Sequence, residues 1–389
     1  MRVALVHDWL NGMWGGEKVL QAIASMFPES RIYTLFSDPE HISADLKRHE
    51  IKTSFIQHLP LRRKYYRHYL PLFPTAIERF DFSNFDLVIS SSHCVAKGAK
   101  TGKNTLHVCY CYSPMRYIWD RFDDYFPKDS INPLRYRFIK YICRRLRRWD
   151  VATAGRADLF IADSKYVAAR IKNYYGRASA VIYPPVDTDF FTPTPRPTED
   201  YYLIVSALVP YKRVDLAVKA FANFRRKLVV VGDGPMLGEL VNIAGRNISF
   251  TGWVDNDELR EYYRNCRALI FPGVEDFGIV PVEAQACGRP VIAYAAGGAC
   301  ETVIGQTEPA AFPESPSATG VFFKSQEPDE LLKAIEVFEK MTFDVQQIRN
   351  NALRFSRETF LEKFKGFLTD AVGIFRSEGK FELEARLLR

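Results

Sequence analysis

Apolar residues along the chain gather into short runs separated by amphipathic stretches, the rhythm of alternating strands and helices. Residues 2–7 (RVALVH) form a run of strand length, after which Val19, Leu20, Ile23, Ala24 and Phe27 recur at helical spacing. Further strand-like runs stand at 31–36 (RIYTLF), 85–90 (FDLVIS), 107–112 (HVCYCY) and 158–163 (DLFIAD). Residues 192–200 (TPTPRPTED) break the rhythm, because Pro, Thr and charge without periodicity is linker composition. The alternation resumes at 202–207, 227–232, 248–254, 268–271 and 290–294, and beyond residue 320 it gives way to helical patterns at 328–341, 344–357 and 359–376. Runs of this kind, each followed by a helix, predict parallel sheets covered on both faces. The reading is therefore an α/β fold in two Rossmann-like domains, 1–190 and 201–365, joined by a linker at 191–200.

A chain of 389 residues is long enough for two cores of ordinary size. Its 47% hydrophobic and 25% charged content is that of a globular protein, and no stretch approaches the ~18 apolar residues of a membrane span. The opening MRVALVHDW lacks the apolar core and cleavage site of a signal peptide, which predicts a cytoplasmic location. The seven cysteines include no C-x-x-C pair, so neither a disulfide framework nor a zinc site is expected.

Charge changes the picture more. Residues 1–185 hold 29 Lys/Arg against 17 Asp/Glu, net +12, whereas 186–389 hold 24 against 29, net −5. Two stretches of the basic half, 56–80 and 131–150, interleave Arg and Lys with Tyr, Phe, Leu and Trp. In the second, Leu134, Phe138, Ile142 and Leu146 recur every four residues, with Arg135, Arg137, Lys140, Arg144, Arg145, Arg147 and Arg148 mostly on other faces. A basic amphipathic helix fits an anionic membrane surface. The alternative is the solvated face of an ordinary packed helix; no recognised nucleic-acid motif accompanies the charge, so nucleic acid is not an expected partner.

Candidate chemistry concentrates at 268–294. ALIF ends in Pro272-Gly273, a strand stopped by a turn; Pro281 suits the first turn of a helix, and Gly288-Arg289-Pro290 ends it. Such a strand–turn–helix leaves free N–H groups at the helix N-terminus, an anion site, with Glu275 and Glu283 beside it. Two glutamates eight residues apart are usually solvated, but here apolar sequence flanks them. Gly15-Gly16, between a strand and a helix, gives the backbone freedom to approach a phosphate. His93 follows a predicted strand at its carboxyl end, where open α/β sheets bind ligands. Arg116, Tyr117, Trp119 and Asp120 combine aromatic faces with charge, as a sugar pocket requires, the alternative being that the Tyr and Trp fill a core.

The string EDFGIVPVEAQACGRPVIA resembles the E-x7-E signature of retaining glycosyltransferases of family 4. The resemblance implies the GT-B fold, with the active site in the cleft between two Rossmann-like domains and a last helix, 366–389, returning to the first domain. It implies a nucleotide-sugar donor, GDP- or UDP-linked, with no cofactor and no metal. Glu283 would hold the ribose and Glu275 the transferred sugar, with the backbone of Phe277, Gly278, Ile279 and Val280 on the diphosphate. Gly15 and Gly16 would lie by the same diphosphate, His93 near the sugar, and Gly252 and Trp253 around the base. The family pairs an Arg and a Lys on the donor phosphates; this chain keeps Lys212 but has Ala207 where the Arg is expected and Arg213 where Gly is usual. Arg213 is the expected substitute, as a guanidinium binds phosphate bidentately. SALVPYKR and SPMRYIWD resemble mannosyltransferase-like members of bacterial surface-polysaccharide assembly. GDP-mannose is thus the expected donor, and a saccharide or lipid-linked saccharide the acceptor, bound by Arg116, Tyr117, Trp119 and Asp120. The enzyme is then expected on the inner leaflet. A sugar-nucleotide epimerase, a phosphorylase or a noncatalytic nucleotide-sugar-binding subunit are the alternatives on this architecture.

Overall fold

The computed structural model describes residues 1–306 and 318–388. The chain divides into two compact units, one formed by Met1–Pro185 with Phe360–Arg389 and the other by Val186–Thr359. The first carries strands β1 (Val3–His7), β2 (Arg31–Thr34), β3 (Ile51–Thr53), β4 (Leu87–Ser92), β5 (Leu106–Cys111), β6 (Leu159–Ala162) and β7 (Ala180–Val181). The second carries β8 (Tyr201–Val205), β9 (Lys227–Val231), β10 (Ile248–Gly252), β11 (Ala268–Phe271), β12 (Val291–Tyr294), β13 (Gly305–Gln306) and β14 (Gly320–Phe323). The sheets run in the orders β3-β2-β1-β4-β5-β6-β7 and β10-β9-β8-β11-β12-β14-β13, and every ladder is parallel.

These orders decide where ligands can go. In each sheet the chain winds one way from its first strand and then returns to wind the other way, so the order reverses between β1 and β4 and between β8 and β11. At such a switch point the connecting loops diverge above and below the sheet, opening a crevice at the strands' carboxyl ends.

Helices cover the sheets as their apolar stripes require. Gly15–Ser25 buries Val19, Leu20, Ile23 and Ala24, and its start is fixed by the Trp14 N–H, which donates to Glu17 at 3.1 Å. Helix Arg357–Glu378 buries Phe360, Phe364, Leu368 and Ala371, with the first two rings 5.9 and 6.2 Å from Tyr110 in the first unit.

The unit boundaries fall at 185/186 and 359/360, against 190/191 and 365/366 from sequence. Residues 192–200 are fastened to the second unit: the Glu199 N–H donates to the Asn265 carbonyl (2.7 Å), and Arg264 donates to both the carbonyl and the hydroxyl of Thr192. Helix Pro133–Ala152 also departs from the four-residue stripe. Ile142 and Leu146 face inward, but Leu134 and Phe138 stand in solvent, because each step of four advances about 40° around an α-helix. In the other basic stretch, Arg62 pairs with Asp38 at 2.9 Å and Arg63 with Asp38 and Glu40.

One buried group ties stability to pH. His107, on β5, is fully enclosed; its Nδ1–H donates to the Arg156 carbonyl (3.0 Å), and Nε2 accepts from the Ser90 hydroxyl (2.9 Å). Burial pushes its pKa down to about 4 from the usual 6.5. The folded state therefore binds fewer protons than the unfolded chain between these values. The contribution is complete above pH 6.5 and lost as pH falls toward 4, on the order of 3 kcal/mol in all. Urea titrations at stepped pH check this: His107→Gln should flatten the loss over that window.

Candidate functional site

The second unit brings two of its predicted residues, Lys212 and Glu275, together at its switch point. The loop after β8 carries Lys212 and the loop after β11 carries Glu275; the ammonium and the carboxylate form an ion pair, both largely shielded from solvent. Gly278 has φ +87°, a left-handed conformation that side chains resist, and from it helix Ile279–Ala286 starts. The first-turn N–H groups of that helix lack intrahelical acceptors and form a partial positive pole. At Gly298 a Cβ would run into the backbone of Phe277, and the Gly298 N–H donates to the Glu275 carbonyl at 2.9 Å. The turn bearing Glu275 is thus held backbone to backbone, which fixes its carboxylate toward Lys212.

Glu283 points inward from the same helix and is 6% exposed; one of its oxygens accepts the Tyr263 hydroxyl at 2.8 Å. Burial, and then the neighbouring Glu283, drives the Tyr263 pKa well up, so this hydroxyl keeps its proton and orients the carboxylate. Sequence reasoning missed Tyr263, which stands on another helix, Asn256–Asn265. Gly252 (φ +74°) ends β10, and Trp253 beyond it is 75% exposed.

Arg213 has its own partners in this structure. It sits at φ +54°, and this left-handed turn sends its guanidinium to Asp215 (3.2 Å) and to the side chain of Gln326 (3.3 Å). The cation expected to replace the Arg missing at 207 thus links the loop after β8 to Gln326, which in turn donates to the Pro272 carbonyl (2.8 Å). Arg213→Ala should change nucleotide affinity by no more than about threefold, as partly exposed pairs contribute little; calorimetric titration with GDP measures it.

In the first unit the switch point collects a different set. His93 follows β4, and the Asp8 carboxylate, wholly buried after β1, lies 3.2 Å from its Nδ1. Asp8 also accepts the backbone N–H groups of His93, Cys94, Val95 and Ala96 at 2.7–2.9 Å. Trp9 sets its ring edge-on to His93, with centroids 4.5 Å apart. Burial lowers the His93 pKa and Asp8 opposes it, so the imidazole is neutral near pH 7 with its Nδ1–H directed to Asp8. Gly15 and Gly16 begin the helix after β1, and the Gly16 carbonyl accepts the Tyr112 hydroxyl at 2.8 Å. A Cβ on Gly16 would make only ordinary contacts with Tyr112 and His7 at 3.5–3.6 Å, so packing does not demand glycine there. Asp8 and Tyr112 went unread in the sequence; the only signal for Asp8 was an acid directly after the first strand.

The four acceptor candidates part company. Trp119 donates its indole N–H to buried Asp150 (2.8 Å) and stacks on Tyr174 at 4.5 Å. Tyr117 meets Cys94 (2.9 Å), and burial drives its pKa well up. Asp120 pairs with Arg170 at 2.7 Å, while Arg116 is half-buried.

Among the described residues no group of three or more His, Cys, Asp and Glu stands close enough to hold a metal. Two D-x-D triplets do occur, but Asp187 caps the Phe190 N–H and Asp255 the Glu258 N–H, so each serves a local turn.

Two doubly wound parallel sheets, each with polar residues gathered at its switch point, define a nucleotide-binding class of α/β protein. Comparison with known proteins narrows it. The family described as Glycosyltransferase Family 4 matches residues 15–190, and Glycosyl transferases group 1 matches residues 186–355. The chain belongs to the GT-B glycosyltransferases of family 4 that these two domains make up.

Among curated relatives is the GDP-mannose-dependent alpha-(1-6)-phosphatidylinositol monomannoside mannosyltransferase of Mycolicibacterium smegmatis, 34% identical over 179 residues, 38% of this chain and 47% of that protein. The D-inositol 3-phosphate glycosyltransferase of Mycobacterium sp. (strain KMS) is 30% identical over 168 residues, 36% of this chain and 38% of that one. The chain thus spans about half the length, or less, of the curated relatives it matches. Of solved structures, sucrose-phosphate synthase from Thermosynechococcus elongatus superposes with a TM-score of 0.68 at 18% identity, covering 97% of this chain and 100% of its own. Anabaena Alr3699/HepE in complex with UDP-glucose gives 0.65 at 18% identity, covering 95% and 100%. At that identity they share the fold.

Proposed function

We propose that the protein is a retaining glycosyltransferase that moves mannose from GDP-mannose to a hydroxyl of a saccharide or lipid-linked saccharide, in polysaccharide synthesis and without a metal ion. The observation that carries the reading is the Lys212–Glu275 pair at a switch point, next to the N-terminus of helix Ile279–Ala286. As the bond from sugar to diphosphate breaks, negative charge grows on the phosphate and positive charge on the sugar. A cation with oriented N–H groups stabilises the first, and a carboxylate the second. In this mechanism the second unit binds the nucleotide, with Glu283 on the ribose and Lys212 on the diphosphate. His93 and the loop at Arg116 belong to the sugar and acceptor.

The acceptor oxygen attacks on the face the phosphate leaves, the C–O bond to phosphate breaks as the new glycosidic bond forms, and the departing phosphate takes the hydroxyl proton. Glu275 remains a sugar ligand; a glycosyl adduct trapped on it would overturn that role. GDP-mannose is favoured by the name of the Mycolicibacterium smegmatis relative; the UDP-glucose in the Anabaena structure makes UDP-sugars the competing donors. Thermal shift with GDP, GDP-mannose, UDP and UDP-glucose, in buffer containing a chelator, tests the reading, since a ligand of the native state raises its melting temperature. Stabilisation by GDP-mannose and GDP is expected. A response to UDP ligands alone, or to none without added divalent cation, counts against it. Proton NMR of the product's anomeric centre tests retention.

A further inference from the structure

Helix Pro133–Ala152 presents a face that the described fold does not cover. Leu134, Phe138 and Tyr141, spaced i, i+4 and i+7, are 76%, 62% and 54% exposed and lie along one line of the helix. Large apolar side chains in such a row are unusual on a surface that meets only water. Beside them lies a groove of ≈ 670 Å³ lined by Lys128, Arg137, Lys140, Tyr141 and Arg144, with Asp129 its one acidic side chain. Of the remaining basic residues on the helix, Arg135, Arg145 and Arg148 are also exposed, whereas Arg147 turns inward onto the carbonyls of Ile118 and Trp119. The helix's one acid, Asp150, is buried at its inner end against Lys97.

The geometry points to this face as a docking surface for an anionic lipid bilayer, with Leu134, Phe138 and Tyr141 entering the headgroup–acyl boundary and Arg137, Lys140 and Arg144 seating lipid phosphates. The inference deepens the lipid-linked acceptor of the proposed function and names the side chains that would hold the protein at its substrate. Charge selects the occupant. Three aromatic or aliphatic side chains flanked by six exposed cations suit a surface that is apolar beneath and negative on top. A protein partner would need dispersed acids to match them. The helix is held from within, by Cys143, Leu146 and Asp150, so it can carry load without rearranging.

Sedimentation of the whole chain with vesicles tests it, comparing phosphatidylcholine alone with phosphatidylcholine containing about 30% phosphatidylglycerol. The wild type should bind the anionic vesicles at least ~30-fold more tightly, and less so as salt is raised. R137E/K140E/R144E should weaken that binding by about 100-fold and L134S/F138S by about 10-fold. Both sets lie on the surface, so melting temperatures should match the wild type; if charge reversal disturbs folding, R137Q/K140Q/R144Q provides the milder variant. Equal binding to neutral vesicles, undiminished binding by either variant, or no vesicle binding at all overturns the proposal. So does retention of RNA, or dimerisation lost in L134S/F138S, in place of vesicle binding. GDP thermal shift on the same preparations separates the two claims. A protein stabilised by GDP that ignores anionic vesicles loses only the docking face, and one that binds vesicles but no nucleotide loses only the donor reading.

Discussion

Lys212→Ala is expected to lower kcat for sugar transfer by about 10²–10³-fold, with a smaller change in donor KM, as removal of one preorganised charge donor to a transition state does elsewhere. The reasoning is electrostatic. Lys212 is partly buried and has Glu275 as its counter-charge, so in the resting protein it is neither free nor fully solvated. When the donor diphosphate arrives, it can exchange the carboxylate for phosphate oxygens, and its worth rises as charge accumulates on the leaving group. Glu275→Gln should also reduce kcat, because the amide carries no charge to set against the positive sugar. Steady-state rates with GDP-mannose check both variants. A Lys212→Ala enzyme within about fivefold of wild-type kcat would remove the cation from the mechanism.

The second large effect concerns folding. Lys97 is 1% exposed and donates to the Asp150 carbonyl (2.7 Å) and the Thr153 hydroxyl (3.0 Å), while its ammonium lies 3.0 Å from the Asp150 carboxylate. Asp150 in turn accepts the Trp119 indole N–H and the Tyr175 hydroxyl (2.9 Å). Asp150→Ala leaves a buried ammonium without its counter-ion and two donors without their acceptor, at an expected cost of about 3–5 kcal/mol. The paired replacement K97M/D150L should cost less than the single Asp150 change, because no unpaired charge is left behind. Chemical denaturation monitored by tryptophan fluorescence distinguishes them. The proposed loss would spread to the docking helix, whose inner end Asp150 anchors, so vesicle binding should weaken with it.

Much of the local architecture is legible in the order of residues alone. ALIF, Pro272-Gly273, Pro281 and Gly288 punctuate a strand, a turn and a helix, and the fold has β11 and helix Ile279–Ala286 at those places. The same holds for β1 and the helix after it, since a buried strand and an amphipathic helix each carry their own periodicity. Short edge strands were not legible: β3, β7 and β13 have two or three residues each, too few for any pattern to repeat. Nor was Asp8 as the partner of His93, 85 residues away, or Tyr263 as the partner of Glu283. The surroundings of Arg213 were hidden for a related reason. Its charge was visible, but its left-handed backbone, which turns that charge to Asp215 and Gln326, was not.

The amino-acid sequence alone determined the β/α alternation, the division into two domains and the strand–turn–helix that bears Glu275 and Glu283. Each of these rests on interactions between residues close along the chain. Tertiary structure alone decided that β8 lies against β11 and β1 against β4, and hence that Lys212 meets Glu275 and Asp8 meets His93. It alone decided that Ile142 and Leu146 turn inward while Leu134 and Phe138, on the same four-residue stripe, face outward. Strand order and helix orientation are set by what packs against what, a property of contacts between distant segments that local periodicity does not record.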